Sequence, residues 1–450
     1  MHDLSTTLAA IATPPGRGGV GCVRLSGPDA LRIARGLFRA RRGVDPVETG
    51  GPAFGVFLDA HGAPVDHGYL VTFPAARSFT GEPTAELWPH GSPPVLEALV
   101  AAAVARGATP AGPGEFTYRA LRRGRLDLSR AEAVRDLVAA RTLHQARVAF
   151  SQVQGEVSRR LSPLKEALID LVARAEASLE FADEAETHLE DGALGRGLLE
   201  AATLADELLA EARRGRVVRE GARVALTGAT SVGKSSLFNR LLGRDRAIVS
   251  HVAGTTRDTL EDTLDAGGIP ITLVDTAGLR PVVDPVEAEG VRRARAAASE
   301  ADLVVIVLDG SRALAPEERE VLLQRRSEAP ALIVVNKADV AMGPGRDSCP
   351  EALHVSARTG VGIDGLLAAI RVAVAGLDSP ERPAITNIRH EAAIRDTAGA
   401  VERAIAAKGL GVEFAIFEMR QALDHLGTIT GEVATDDLYD RIFSTFCIGK

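Results

Sequence analysis

The chain has 450 residues, a formal net charge of −8, 46% hydrophobic residues and 4% aromatic ones; the length predicts about three domains, and the acidic balance excludes a protein that coats nucleic acid over its whole surface. Cys22, Cys349 and Cys447 are an odd number without CxxC spacing, which excludes a disulfide framework and a thiolate zinc site and predicts a reducing, cytoplasmic setting. No window offers the apolar run a membrane span needs, and the start shows no basic segment followed by a long apolar one, so a soluble, unexported protein with no membrane partner is expected.

Residues 1–118 mix β-rich runs at 20–25, 53–58, 68–73 and 84–88 with Gly/Pro turns and one helical stretch at 94–106, a compact α+β domain. From Ser129 the period turns helical. Ser129-Arg-Ala-Glu132 reads as a capping box, and Pro163 and residues 192–197 divide the run into at least three helices. Residues 216–382 change character again: ARVALTG, ITLVDTAG, ADLVVIVLDG, ALIVVNKAD and ALHVSAR are short buried strands separated by helical stretches, as in a mainly parallel sheet. Helical periodicity returns over 389–427, so residues 119–215 and 383–450 are expected to form one helical domain into which 216–382 is inserted.

The cations are 47 Arg and five Lys (Lys165, Lys234, Lys337, Lys408 and Lys450), and Asn occurs three times (Asn239, Asn336 and Asn387), so a motif that needs Lys or Asn stands out. Gly228-Ala-Thr-Ser-Val-Gly233-Lys234-Ser235 matches GxxxxGKS between an apolar strand and a helix. Backbone N–H groups of Ser231, Val232, Gly233, Lys234, Ser235 and Ser236 would face phosphates, Lys234 would reach the β and γ oxygens, and the Ser235 hydroxyl would ligate Mg²⁺. Asp275, Thr276, Ala277 and Gly278 follow a strand as DTAG, where the carboxylate can hold the Mg²⁺ shell through water and Gly278 can offer its N–H to the γ-phosphate.

Between them lie Ser250, His251, Val252, Ala253, Gly254, Thr255 and Thr256, a segment suited to a γ-phosphate switch with Thr256 completing the Mg²⁺ shell. Asn336, Lys337, Ala338 and Asp339 follow another strand; Asp339 suits the guanine N1–H and amino group, which adenine lacks there. Ser356, Ala357 and Arg358 supply a base-side backbone N–H. These four motifs, in this order and on these elements, imply GTP binding. Leu279 stands where Ras-like GTPases carry a water-orienting Gln, so Glu287 is the best local carboxylate for that task, and a solvated helix-entry Glu is an equal reading.

IATPPGRGGVG, SFTGE, GPGEFTYRALRRGRLDLSRAEA, AGTTRD with DTAGLR, and the terminal FCIGK together resemble the MnmE (TrmE) family of tRNA-modification GTPases over essentially the whole chain. The resemblance implies a multidomain α/β plus all-α protein: an N-terminal domain that binds a folate and dimerises, a helical domain, and an inserted GTPase domain. It implies addition of a carboxymethylaminomethyl or aminomethyl group at C5 of a tRNA wobble uridine. The one-carbon unit would come from 5-formyltetrahydrofolate or methylenetetrahydrofolate, and FAD would act through an FAD-dependent partner of the MnmG type, with a homodimer joining it in a heterotetramer.

Carried over by motif, Arg24, Glu86, Arg125 and Lys450 would contact the folate, since cations suit its glutamate carboxylates and a carboxylate suits its pterin N–H groups. Three positions depart from the family. Ser231 replaces the Asn that helps bind K⁺ beside the phosphates, so weaker K⁺ stimulation is expected, with carbonyls of Ser250, Val252 and Thr255 still able to serve. Arg125 replaces Lys, and Trp88-Pro89 enters the folate region.

Residues 118–147 carry eight Arg (119, 122, 123, 125, 130, 135, 141 and 147) against three acids, which fits a tRNA-backbone contact or a solvated helix face. Cys447 could be a reactive thiol or an apolar contact, and the histidines, His61, His67, His90, His144 and His251 among them, lack metal-ligand spacing. The rival to a modification enzyme is a regulatory GTPase that binds a ribosomal or other partner and carries out no modification.

Overall fold

A computed structural model describes residues 3–41, 51–180, 192–243, 261–275, 301–316, 318–319, 322, 330–340, 349, 351–376, 382–407 and 411–449. The chain divides into two compact units, Met1–Arg135 with Val153–Ser158 and Asp424–Lys450, and Asp136–Gln152 with Arg159–Leu423. The elements begin with β1 (Thr7–Ile11), β2 (Val23–Ser26), α1 (Ala30–Gly36), β3 (Phe38–Ala40), β4 (Gly51–Leu58), β5 (Pro64–Phe73), β6 (Thr84–Trp88), α2 (Pro93–Val104), β7 (Ala108–Pro110) and α3 (Glu115–Arg122). Four helices follow: α4 (Leu128–Ala139), α5 (Leu143–Val153), α6 (Glu156–Glu180) and α7 (Ala193–Glu220). Next come β8 (Ala222–Thr227), α8 (Lys234–Leu241), β9 (Glu261–Asp265), β10 (Pro270–Asp275), β11 (Leu303–Asp309), β12 (Ala331–Asn336), β13 (Leu353–His354) and α9 (Ile363–Ala375). Last are α10 (Ile388–Ala407), α11 (Val412–Thr430) and α12 (Asp436–Phe443).

In the first unit the sheet order is β3-β4-β5-β6-β2-β1-β7, with β1 and β7 parallel and the other pairs antiparallel. Alternation decides its faces. Phe57, Leu70, Leu87, Val23 and Leu25 turn into a core with Ile33 of α1 and Leu96 and Leu99 of α2, while Tyr69, one residue before Leu70, is 52% exposed. β1 is covered on both faces, since Leu8 and Ala10 pack with Phe116 and Ala9 joins the main core. A strand buried on both sides shows no alternation, and β1 escaped the sequence reading for that reason. A second small core joins Tyr118 and Leu128 to Ile442, Phe443 and Phe446.

In the second unit the order is β13-β12-β11-β8-β10-β9. Every pair is parallel except the β9–β10 hairpin. β11 is buried at all seven positions, as a central parallel strand must be. On one side of the sheet, Leu237, Phe238 and Leu241 of α8 and Leu366 and Ile370 of α9 pack on Val224, Leu226, Leu273 and Val305; Val304, Ile306, Leu308 and Val335 form the other.

The structure corrects three local expectations. Helix α4 starts at Leu128 and is capped by Asp127, whose carboxylate accepts from Arg130 N at 2.8 Å and from the Ser129 hydroxyl at 2.7 Å. Ser129 thus lies inside the helix, because the carboxylate two residues earlier reaches the orphan N–H first. Pro163 does not end a helix: it lies within α6, where burial of Leu161, Leu164 and Leu168 outweighs the one backbone hydrogen bond proline forfeits. Of residues 192–197, Gly192 (φ 83°) does mark the start of α7, but Gly197 lies inside that helix, facing Leu171 of α6 so closely that a Cβ would collide with it. Residues 389–427 comprise parts of two helices, α10 and α11. No helix among the described residues is long and apolar enough to cross a membrane.

Candidate functional site

The loop between β8 and α8 is shaped by backbone constraints. Gly228 (φ 144°) lies against the Val307 carbonyl with no room for a Cβ, and Gly233 (φ 94°) precedes the first helical residue, Lys234. Ser231 has φ 64°, a region non-glycine residues seldom adopt. The Lys234 side chain is buried, and its ammonium donates to the carbonyls of Gly228 at 2.9 Å and Ala229 at 2.7 Å. That folds the charge back over the loop, while Ser235 and Ser236 are exposed on the first turn of α8, where helix N–H groups favour anions. Asp275 ends β10 opposite Leu226 of β8, so the backbone of DTAG begins beside the phosphate loop.

The side chain of Asp275 and the residues Ser250, His251, Val252, Ala253, Gly254, Thr255, Thr256, Thr276, Ala277, Gly278, Glu287 and Lys450 lie outside the described residues.

The base-side residues converge on Asn336. Its side chain is buried, donates to the Val232 carbonyl at 2.9 Å and accepts from Ala357 N at 3.0 Å, so it ties the phosphate loop to the 356–358 loop. Lys337 (φ 64°) places its ammonium 2.6 Å from Asp309 at the end of β11. Burial opposes ionisation of Asp309, but hydrogen bonds from Lys337 and Ser311 outweigh it and lower its pKa. Ala338 N donates to the Val355 carbonyl at 3.0 Å. Asp339 accepts from the Ser356 hydroxyl at 2.5 Å, and that bond, with the Arg358 guanidinium 3.9 Å away, lowers its pKa. The result is an ionised acceptor at a loop junction, the chemistry that two adjacent N–H donors require.

Two residues here escaped the sequence reading. Asp309 had a usable signal, since LDG ends a strand parallel to the one that carries Asn336. Arg240 of α8 had none. Its guanidinium donates to the Ala357 carbonyl at 2.7 Å and to the Arg358 carbonyl.

In the first unit, Arg24 and Glu86 are cross-strand neighbours on β2 and β6, bonded at 2.8 Å with side chains 21% and 13% exposed. Arg24 also donates to the Gly449 carbonyl at 3.1 Å, which draws the terminal segment to this pair. Arg125 is bonded elsewhere, to the carbonyls of Ala75, Ala76 and Ser78. Trp88 follows Glu86 by two residues on the same strand, hence on the same face, opposite Tyr69.

SFTGE contributes Glu82, a buried carboxylate that binds Arg119 at 3.1 Å and Arg123 at 2.6 Å. The arginine-dense stretch is mostly spent internally, for Arg130 binds the Val153 carbonyl and Arg135 the Thr445 hydroxyl, each at 2.8 Å, while Arg141 and Arg147 are exposed. Cys447 is an exposed free thiol whose carbonyl accepts from Gly114 N at 3.3 Å. His90 bonds Asp66 at 2.9 Å, and no cluster of three metal-ligating side chains occurs among the described residues.

Two family descriptions match the chain: "GTP-binding protein TrmE N-terminus" over residues 7–125 and "MnmE helical domain" over residues 128–447. The chain is 41% identical over 457 residues to the tRNA modification GTPase MnmE of Koribacter versatilis, covering 100% of each chain. It is 39% identical over 448 residues to that of Aquifex aeolicus, covering 98% of this chain and 99% of the relative. A crystal structure of Aquifex aeolicus Era bound to GDP and AlF4⁻ is similar at 24% identity, covering 40% of this chain and 66% of that one, with a TM-score of 0.27.

Proposed function

This chain belongs to the MnmE family of tRNA-modification GTPases and is a GTP-hydrolysing enzyme of tRNA modification; from that premise we propose that it serves wobble-uridine C5 modification in the cytoplasm. In this proposal it works as a homodimer with an FAD-dependent partner, in a heterotetramer, and takes its one-carbon unit from a tetrahydrofolate. The three-domain division expected from the sequence is part of the same reading. The observation that carries the nucleotide role is Asn336, which links Val232 of the phosphate loop to Ala357 of the base-side loop in one hydrogen-bonded unit. Lys234 and the N–H groups of residues 231–236 hold phosphates, Asp339 accepts from the base, and Arg358 N lies on the same base-side loop.

The donor set fits Mg²⁺, since an exposed serine hydroxyl on the first turn of α8 is a hard oxygen ligand, and Ser235 with Thr256 would hold the ion. The bound ion supplies charge neutralisation at the phosphates. Glu287 would orient water, with Lys234 and Thr256 completing the catalytic set. The serine hydroxyl at Ser231 and the carbonyls of Ser250, Val252 and Thr255 are oxygen donors of the kind K⁺ takes.

Arg24 and Glu86, a cation and a carboxylate side by side and partly exposed, support the folate reading, because a folate presents both carboxylates and ring N–H groups. Lys450 follows Gly449, which Arg24 binds. Arg125 enters as the fourth contact by motif alone.

Calorimetry with 5-formyltetrahydrofolate on the full chain is the direct test. Binding lost in Arg24→Ala supports the modification role; no heat from folded wild-type protein favours a regulatory GTPase that binds a ribosomal or other partner. Mass spectrometry of wobble-uridine nucleosides from a deletion strain then decides the chemistry, and unchanged nucleosides rule it out.

A further inference from the structure

We infer that Arg240 is a positioning residue for guanine recognition: from the helix that begins at the phosphate loop, it holds the base-side loop closed and so sets how tightly and how selectively the guanine nucleotide is kept. The inference rests on the reading of Asn336–Asp339 and residues 356–358 as the base site. Arg240 lies on α8 six residues after Lys234, near the end opposite the phosphate loop. Its Nε donates to the Ala357 carbonyl at 2.7 Å and its NH2 group to the Arg358 carbonyl, two donors of one rigid fork on two consecutive carbonyls.

The loop so held is the one that orients Asp339, because the Ser356 hydroxyl binds that carboxylate at 2.5 Å. Its backbone is also fixed where Ala357 N donates to the Asn336 side chain at 3.0 Å. Without Arg240 the loop would keep Asn336, its own turn bonds, Ser356 N to Val361 O at 2.9 Å and Gly360 N to Ser356 O at 2.8 Å, and the strand-end bonds of Val355, whose N donates to the Val335 carbonyl at 2.9 Å and whose carbonyl accepts from Ala338 N at 3.0 Å, but would lose both of its anchors on α8. The exposed Arg358 guanidinium lies 3.9 Å from Asp339, too distant for a direct hydrogen bond. Arg240 therefore acts on the base through the loop backbone.

Charge-assisted hydrogen bonds to carbonyls make a loss of this clamp worth about tenfold in nucleotide retention. The test uses the full-length protein, with a fluorescent GDP analogue for the dissociation rate and steady-state turnover of GTP and ITP. Inosine lacks the 2-amino group that Asp339 accepts, so ITP reports how much of the effect passes through that carboxylate. In Arg240→Ala we expect GDP to leave about tenfold faster and KM for GTP to rise by a similar factor, with kcat at saturation within about twofold and a smaller preference of GTP over ITP. Arg240→Lys, which keeps the charge but not the fork, is expected to fall between wild type and Ala.

A GDP dissociation rate and KM within about twofold of wild type overturn the inference. Equal loss for GTP and ITP with a lower kcat and a lower Tm overturns it too, since that pattern marks general loosening of α8. Asp339→Asn tests the base site by itself: if it leaves GTP binding intact, Asp339 is not the guanine acceptor, whatever Arg240 does.

Discussion

Asp339 accepts from the Ser356 hydroxyl at 2.5 Å, and this contact, more than the nearby Arg358 guanidinium, holds its carboxyl below the ordinary carboxylate value. A carboxylate with a lowered pKa stays ionised through neutral pH and is protonated only as pH falls through that lowered value. GTP affinity should therefore show no titration of this group between about pH 6 and 8 and an acid limb below about pH 4, shifted upward in Ser356→Ala. Equilibrium binding of a fluorescent GTP analogue across pH checks this; a limb near neutrality assigned to Asp339 by its loss in Asp339→Asn would refute it.

Ser231 makes a second prediction at the same scale. Its φ of 64° is a region where Asn is enriched several-fold, so Ser231→Asn fits the backbone without strain and adds an amide oxygen. GTP turnover in KCl relative to NaCl should rise in Ser231→Asn above the native ratio. Strong native stimulation, unchanged by the substitution, would show that the serine is no handicap.

At the level of elements, the start of α4 shows why a cap is decided by geometry as well as by spacing. Asp127 accepts from Arg130 N, Ser129 Oγ and Ser158 Oγ, the last at 2.9 Å. Asp127→Ala should destabilise by about 1 kcal/mol, with Ser129→Ala well below that, in urea unfolding; the reverse order would restore the capping box at Ser129.

The motif segments of the first unit have a structural account too. The AGPGE turn is laced to the terminal FCIGK, Gly114 N to Cys447 O and Pro113 to Ile448, and Phe446 fills a core with Tyr118 and Phe443. SFTGE and FTYRALRR meet through Glu82, Arg119 and Arg123. These segments were legible as marks of a family, yet their internal role was not, because Arg119 meets Glu82 at a sequence separation of 37 and sequence spacing carries no sign of such a pairing.

Within the second unit, the β9–β10 hairpin lies between residues 244–260 and DTAG and is tied at its tip to the start of α5. Thr142 Oγ1 donates to the Gly268 carbonyl at 2.8 Å, and Gln145 donates to the carbonyls of Val218 and Arg219 at the end of α7. Gly268 has φ 105°, and a Cβ there would press on the His144 side chain at 2.7 Å. Gly268→Ala should cost about 1–3 kcal/mol in urea unfolding, from backbone strain together with that clash. A stability equal to wild type would mean that the tip yields freely. This contact spans 126 positions of sequence, and nothing in the local pattern at either end announces it.

The division between the two kinds of information follows from range. Motifs of consecutive residues, the GxxxxGKS loop, DTAG, NKAD and SAR, are legible from spacing alone, because backbone geometry obliges those residue types at those offsets. So was the mainly parallel sheet, whose buried strands must be continuously apolar. Which arginine serves which purpose was settled only on folding. Arg24 meets Glu86 across 62 positions, and Arg240 meets Ala357 across 117. Among 47 arginines of identical chemistry, only the packed chain selects the partner, since a guanidinium bonds to whatever acceptor the tertiary structure brings within about 3 Å.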